Sequence, residues 1–289
     1  MSITFKIKFV LFTLLMTLSV SKVNAGEVVY QKTDSIIFEN YIKEFSDQRH
    51  LPDNELLLKT AEYFIGTPYV AATLEPPKGE VLKINLRELD CMTLVESALA
   101  LTRTIKSGEF TFANFCNLLR EVRYRESKIE DYSSRLHYSA DWMYENEKRG
   151  IFRNVSKNLG GALVNKQINY MSTHVFSYPQ LLENNDLQKK IKKMEDQLNN
   201  RGGYYVISKD KICNIANSLK NGDIVAFSTS VQGLDFSHLG IISTDTGKIT
   251  FVHASSVQKK VVLEKKTLND YCLSSKRCNG ITILRLTDK

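Results

Sequence analysis

The sequence predicts an α+β protein. Apolar residues recur at helical spacing in successive stretches between residues 53 and 149. From residue 223 onward the texture changes to short β-type runs, rich in Val and Ile and separated by turn residues. Helices first and an antiparallel sheet after is the α+β arrangement. The 289 residues suffice for one large core or two small ones. No repeat, low-complexity tract or clear linker divides them, so residues 26–289 read as a single domain.

The elements follow in order. Residues 26–50 read as a polar helix packed on the outside. A second helix runs from Asp53 to Ile65: Asp53 can cap it, Leu56, Leu57, Thr60, Ala61 and Phe64 share a face, and Gly66-Thr67-Pro68 stops it. Residues 69–90 are loop-rich, with a turn at Pro76-Pro77-Lys78-Gly79. A long helix runs from Cys91 towards Lys106 and stops at Ser107-Gly108. Further helices cover Thr111 to Tyr124 and Ser139 to Arg149, joined by a polar segment from Arg125 to Arg135. Beyond Gly160-Gly161 the pattern weakens until a charged helix, Tyr178 to Asn199, which Arg201-Gly202-Gly203 breaks. Strands follow at Asp223–Ser228, His238–Ser243, Ile249–Ala254, Val261–Leu263 and Ile281–Leu286.

The first 25 residues have a separate logic. Lys6 and Lys8 precede an apolar run from Phe9 to Val20, and Val23-Asn24-Ala25 supplies small residues for a signal peptidase. The run is too short to span a bilayer, which needs about 20 residues. It reads as a secretory signal cut after Ala25, giving an exported protein, periplasmic or secreted, with no stable membrane insertion after cleavage. The formal charge of +7 includes Lys6, Lys8 and Lys22 and no acid from that segment, which leaves +4. So mild a charge, with acids interspersed, gives no case for nucleic acid.

Five cysteines, Cys91, Cys116, Cys213, Cys272 and Cys278, leave at least one thiol unpaired. Cys272 and Cys278 enclose a short polar loop suited to a local disulfide. Cys116 falls in an apolar helical pattern, as buried free cysteines commonly do. Cys91 stands where a loop becomes a helix, with Asp90 able to cap it. Amides at a helix N-terminus stabilise an anion, and a thiolate there can have its pKa lowered, above all beside an imidazolium. The same position also suits a small packed residue. The base for such a thiol is a histidine brought near in space. His50 reads as surface, His174 lies in the irregular region and His137 precedes a helix. His238 begins a strand and His253 ends one, so adjacent antiparallel strands can set their rings side by side, one as base and one as its orienter.

Metal chemistry finds little support. The sequence has no Cys-x-x-Cys, no His-Glu-x-x-His and no closely spaced histidine pair, so neither a metal nor a cofactor is expected. The serine elbow Gly-x-Ser-x-Gly and a phosphate-binding glycine loop are also lacking.

Gly66-Thr67-Pro68-Tyr69, Leu89-Asp90-Cys91-Met92-Thr93-Leu94-Val95-Glu96, Gly222-Asp223-Ile224-Val225, Ser237-His238-Leu239-Gly240-Ile241 and Phe251-Val252-His253-Ala254 occur in the order seen in NlpC-type cell-wall cysteine hydrolases. The sequence resembles the N-acetylmuramoyl-L-alanine amidase-like branch more finely, through Thr73-Leu74-Glu75, Arg123-Tyr124-Arg125 and the stretch Ser134 to Trp142. Met92 and Leu94 stand where related chains often have other apolar residues, and no separate wall-binding repeat is present.

The resemblance implies a papain-like core, in which a helix carrying the cysteine packs on an antiparallel sheet carrying the histidines. It makes Cys91 the nucleophile, His238 the base and then the acid, and His253 the orienting residue. Tyr69 matches a tyrosine that helps hold substrate or the oxyanion, and the Cys91 amide is a second donor. The reaction implied is cleavage of the amide between N-acetylmuramic acid and L-alanine of the peptidoglycan stem, through a thioester. The partner would be peptidoglycan or muropeptide fragments, met by a monomer. Stem peptides carry carboxylates, which arginine binds bidentately. Arg123, Arg125 and Arg135, with His137, Tyr138 and Trp142, are the candidates for substrate reading. Against this, Arg123 and Arg125 suit a solvated helix end, and Trp142 suits the core. Two rivals remain: an endopeptidase cutting the D-glutamyl–diamino acid bond, and a non-catalytic wall-binding protein. The second would be expected to lack Cys91 or His238.

Overall fold

The computed structural model describes residues 28–75, 79–245 and 247–287. The signal segment, residues 1–25, and most of the Pro76–Gly79 turn lie outside the described residues.

The chain begins with β1 (Val28–Val29), α1 (Lys32–Phe45) and α2 (Asp53–Tyr63). Helix α1 is less peripheral than its polarity predicts. Phe38, Tyr41 and Phe45 are buried, and so is Asp34, whose carboxylate accepts the Leu86 N–H and pairs with Arg87. A 3₁₀ turn, Ser46–His50, follows α1. Asp53 does not cap α2. Pro52 holds the cap position, and Asp53 pairs instead with Lys106 at 2.8 Å. Strand β2 (Leu82–Lys83), inside the loop-rich stretch, pairs with β1. Then come α3 (Cys91–Ser107), α4 (Phe112–Arg123), α5 (Ser139–Lys148), β3 (Phe152–Asn154), β4 (Ala162–Val164) and the short α6 (Tyr170–Thr173).

Helix α7 (Asn185–Asn199) starts seven residues later than the charge pattern predicts. Pro179 sits in a 3₁₀ turn ahead of it, and the Asn184 side chain accepts the Leu187 N–H, fixing the true start. Strand β5 (Tyr204–Ser208) leads through a 3₁₀ segment, Lys209–Ser218, to β6 (Ile224–Thr229), β7 (Phe236–Ser243), β8 (Thr250–Ser255), β9 (Lys260–Leu263), α8 (Leu268–Ser274) and β10 (Cys278–Leu286).

The main sheet has the order β4-β5-β10-β6-β7-β8-β9, with β3 also on β10, and every pairing in it is antiparallel. Alternation sends Ala226, Leu239, Ile241, Val252 and Ala254 to one face, into a core shared with α1 to α5. Val225, Phe227, Ile242 and Phe251 point to the other face, under α8 and the 3₁₀ segment. The sheet is therefore covered on both sides. Cys272 and Cys278 form a disulfide that ties the end of α8 to the start of β10.

Candidate active site

The N-terminus of α3 is built as a capping box. Asp90, in extended conformation, accepts the Thr93 N–H at 2.8 Å, and the Thr93 hydroxyl oxygen accepts the Asp90 N–H at 2.8 Å. Cys91 is the first helical residue and is half-buried. Segment 66–69 runs beside it. The Gly66 N–H donates to the Val261 carbonyl of β9 at 2.9 Å, the Val261 N–H donates to the Thr67 carbonyl at 2.8 Å, the Tyr69 N–H donates to the Lys259 carbonyl at 2.9 Å, and Tyr69 bridges Leu89. This places Tyr69 close enough to Cys91 that its phenol is raised by burial first and by the thiol next.

The histidines are positioned by register. In β7–β8, Ile241 opposes Val252 and Ile242 opposes Phe251, so continuing the ladder sets His253 across from Gly240. His238 is two residues from Gly240 and therefore shares that face. A glycine between them leaves the rings free to meet. His238 Nε2 and His253 Nδ1 lie 2.7 Å apart, with the ring planes nearly perpendicular. The start of β7 is bulged: Phe227 opposes His238 while Ser228 opposes Phe236, leaving Ser237 as the extra residue. His238 thus shares the face of Phe227 and Phe251.

Helix α3 packs on the opposite face, against β7 and β8. The cysteine meets β7 at its backbone. The N–H groups of Leu239, Met92 and Cys91 all act to stabilise a thiolate at Cys91. Leu239 directly follows His238, so the sulfur lies at the start of the strand that carries the candidate base.

Electrostatics depart from the depressed thiol that the helix start predicts. Burial, with Asp90 second, pushes the Cys91 thiol up to about 12, outweighing those N–H groups. Burial, with His253 second, pulls His238 down to about 3. Burial also lowers His253, against Glu264. Burial therefore disfavours both a thiolate at Cys91 and an imidazolium at His238.

Residues 59–281 match the AmiA-like, N-acetylmuramoyl-L-alanine amidase-like, family. The chain belongs to this family. An N-acetylmuramoyl-L-alanine amidase from Bacteroides uniformis is 36% identical, over 82% of this chain and 99% of that one, with a TM-score of 0.77. A Bacteroides fragilis protein provisionally described as a xylanase is also 36% identical, over 79% of this chain and 100% of that one, with a TM-score of 0.75. A Legionella pneumophila protein shares the fold at 21% identity, covering 89% of this chain and 95% of that one, with a TM-score of 0.65. No curated protein matches the sequence.

Two members of this AmiA-like site carry no mark in the sequence. Glu264, just past β9, accepts at 3.2 Å from His253 Nε2. Tyr271 of α8 packs its ring on His253, Phe251 and Phe227, and burial first, with Glu264 and Cys91 after it, raises its phenol. His238, His253, Glu264 and Tyr271, with Ser255 and Lys266, line a cavity of about 430 Å³. Among the described residues no group of three or more acids, histidines and cysteines is placed to hold a metal ion.

The candidate substrate readers are engaged within the fold. Arg135 is buried between Glu75, at 3.1 Å, and Glu80, at 3.2 Å, and pins the loop that follows Tyr69. His137 Nε2 donates to the Tyr132 carbonyl at 2.6 Å, and burial lowers its pKa to about 3. Arg123 is not on a solvated helix end: it is buried against Glu96 at 2.6 Å. Arg125 pairs with buried Asp141. Tyr138 donates to the buried carboxylate of Glu195. Trp142 is fully buried, as the core reading expects. His50 and His174 are exposed.

Proposed function

We propose that this family member is a cysteine-dependent N-acetylmuramoyl-L-alanine amidase with an NlpC-type, papain-like core. We read residues 1–25 as a secretory signal and 26–289 as one catalytic domain, working as a monomer outside the cytoplasm. Among the described residues no helix is long and apolar enough to cross a membrane. The observation that carries the reading is the His238–His253 pair at 2.7 Å across β7 and β8, with the β7 backbone meeting Cys91 at the head of α3.

Cys91 attacks the lactyl carbonyl as His238 takes its proton. The Cys91 N–H, with Tyr69 beside it, holds the oxyanion. His238 returns the proton to the leaving amine of L-alanine, and water then hydrolyses the thioester. Arg135 holds the loop after Tyr69 through Glu75 and Glu80, and His137 holds the segment 131–138 through the Tyr132 carbonyl.

The test is mass spectrometry of defined muropeptides after incubation with the protein, with Cys91→Ala as control. Release of a free stem peptide beginning with L-alanine is expected. A cut within the stem would instead make it an endopeptidase, and no cut would favour a wall-binding role.

A further inference from the structure

Two neutral imidazoles joined by one hydrogen bond can be protonated in two ways. In one, His238 Nδ1 carries a lone pair; in the other it carries a hydrogen. Only the first leaves Nδ1 able to take a proton, because Nε2 of the same ring is already engaged by His253. The pair itself does not choose between them.

Glu264 chooses. Its Oε1 receives the N–H groups of Lys265 at 2.9 Å and Lys266 at 3.0 Å, so the side chain is anchored by its own backbone. Its Oε2 faces His253 Nε2 at 3.2 Å. A carboxylate only accepts. His253 must then carry its hydrogen on Nε2, which leaves Nδ1 as a lone pair. That lone pair accepts from His238 Nε2–H, and His238 Nδ1 is left bare.

We propose that Glu264 is a positioning residue that acts through His253 to fix the tautomer of His238, making His238 Nδ1 the atom that receives the Cys91 proton. The inference rests on the reading of Cys91 and His238 as nucleophile and base. Its placement follows from the hairpin. His253 opposes Val262 in β8–β9, so Glu264 falls two residues on, along the same face as His253. Tyr271 packs its ring near both histidines.

The test is histidine ¹⁵N NMR on the full chain at neutral pH, with the five rings assigned by single replacement. In the unmutated protein both His238 and His253 should show a protonated Nε2 and an unprotonated Nδ1. Either ring protonated at Nδ1 overturns the proposal. In Glu264→Leu the two tautomers should mix and kcat should fall by about 10- to 100-fold with KM within about twofold, the scale on which partners that orient a functional histidine act. Glu264→Gln keeps an acceptor oxygen and should retain the tautomer and most of kcat. An unchanged spectrum and kcat in Glu264→Leu overturns the role. If the spectra behave as stated and no muropeptide is cut, the tautomer relay stands and the amidase reading falls.

Discussion

At the residue scale, the proposed chemistry and the stability of the fold call on different side chains. Cys91→Ala should abolish turnover, by a factor of about 10⁴ or more, with the unfolding transition unchanged. His238→Ala should cost more than His253→Ala, since a base is less dispensable than its orienter; steady-state kinetics with a muropeptide checks the order. The Arg123–Glu96 pair does the structural counterpart. Both side chains are almost wholly buried at 2.6 Å, and Arg123 also donates to the Lys83 carbonyl. Arg123→Met leaves a carboxyl that burial already raises with no counter-charge. It should lower stability by about 3–5 kcal/mol in urea unfolding, and Glu96→Leu in the same chain should recover most of that.

At the element scale the decisive feature is Gly240. A Cβ there would meet Phe251 Cδ2 at 2.6 Å and the Val252 carbonyl oxygen at 3.0 Å. Phe251 is buried and packs on His253 at 4.8 Å, so it has little room to give. Gly240→Ala should cost about 1–3 kcal/mol of stability and lower kcat by displacing the ring pair, measurable by thermal unfolding and kinetics on one sample.

Strands β7 and β8 and the start of α3 were legible because each carries a local signal. The runs around His238 and His253 are β-branched and turn-bounded, and Asp90 and Gly108 bracket α3, with Gly108 at φ 76°. Strands β3 to β5 were not legible. They are three to five residues long and owe their existence to pairing with β10 or with each other. Glu264 carries no sequence signal for a related reason: a lone acid after a strand means nothing until the hairpin register sets it beside His253. Arg123 and Arg125 read as solvated because their acidic partners lie 27 and 16 residues away in sequence.

At the scale of the molecule, buried titratable groups oppose one another. His137 is held neutral, so the stability it supplies is full above pH 6.5 and is lost as pH falls towards about 3. Asp235 has the opposite sign. Burial raises its carboxyl to about 6, so its contribution is full below 3.8 and is lost as pH rises through 6. Relative to His137→Asn, the unmutated protein should lose up to about 1.4 kcal/mol per pH unit below 6.5. Relative to Asp235→Asn, it should lose stability as pH rises from 4 to 6. Urea midpoints across that range check both signs.

Strand β10 follows every other element in chain order, yet it lies inside the sheet, with β6 on one edge and β5 and β3 on the other. The hairpin bearing His238 and His253 hangs on β6, and the helix bearing Cys91 rests on that hairpin. Synthesis therefore delivers Cys91 early and the strand that closes the scaffold last. A chain made only as far as β9 carries Cys91 and the histidine hairpin before the strand that anchors β6 has arrived. On the proposed function, the site is complete only once β10 is in place.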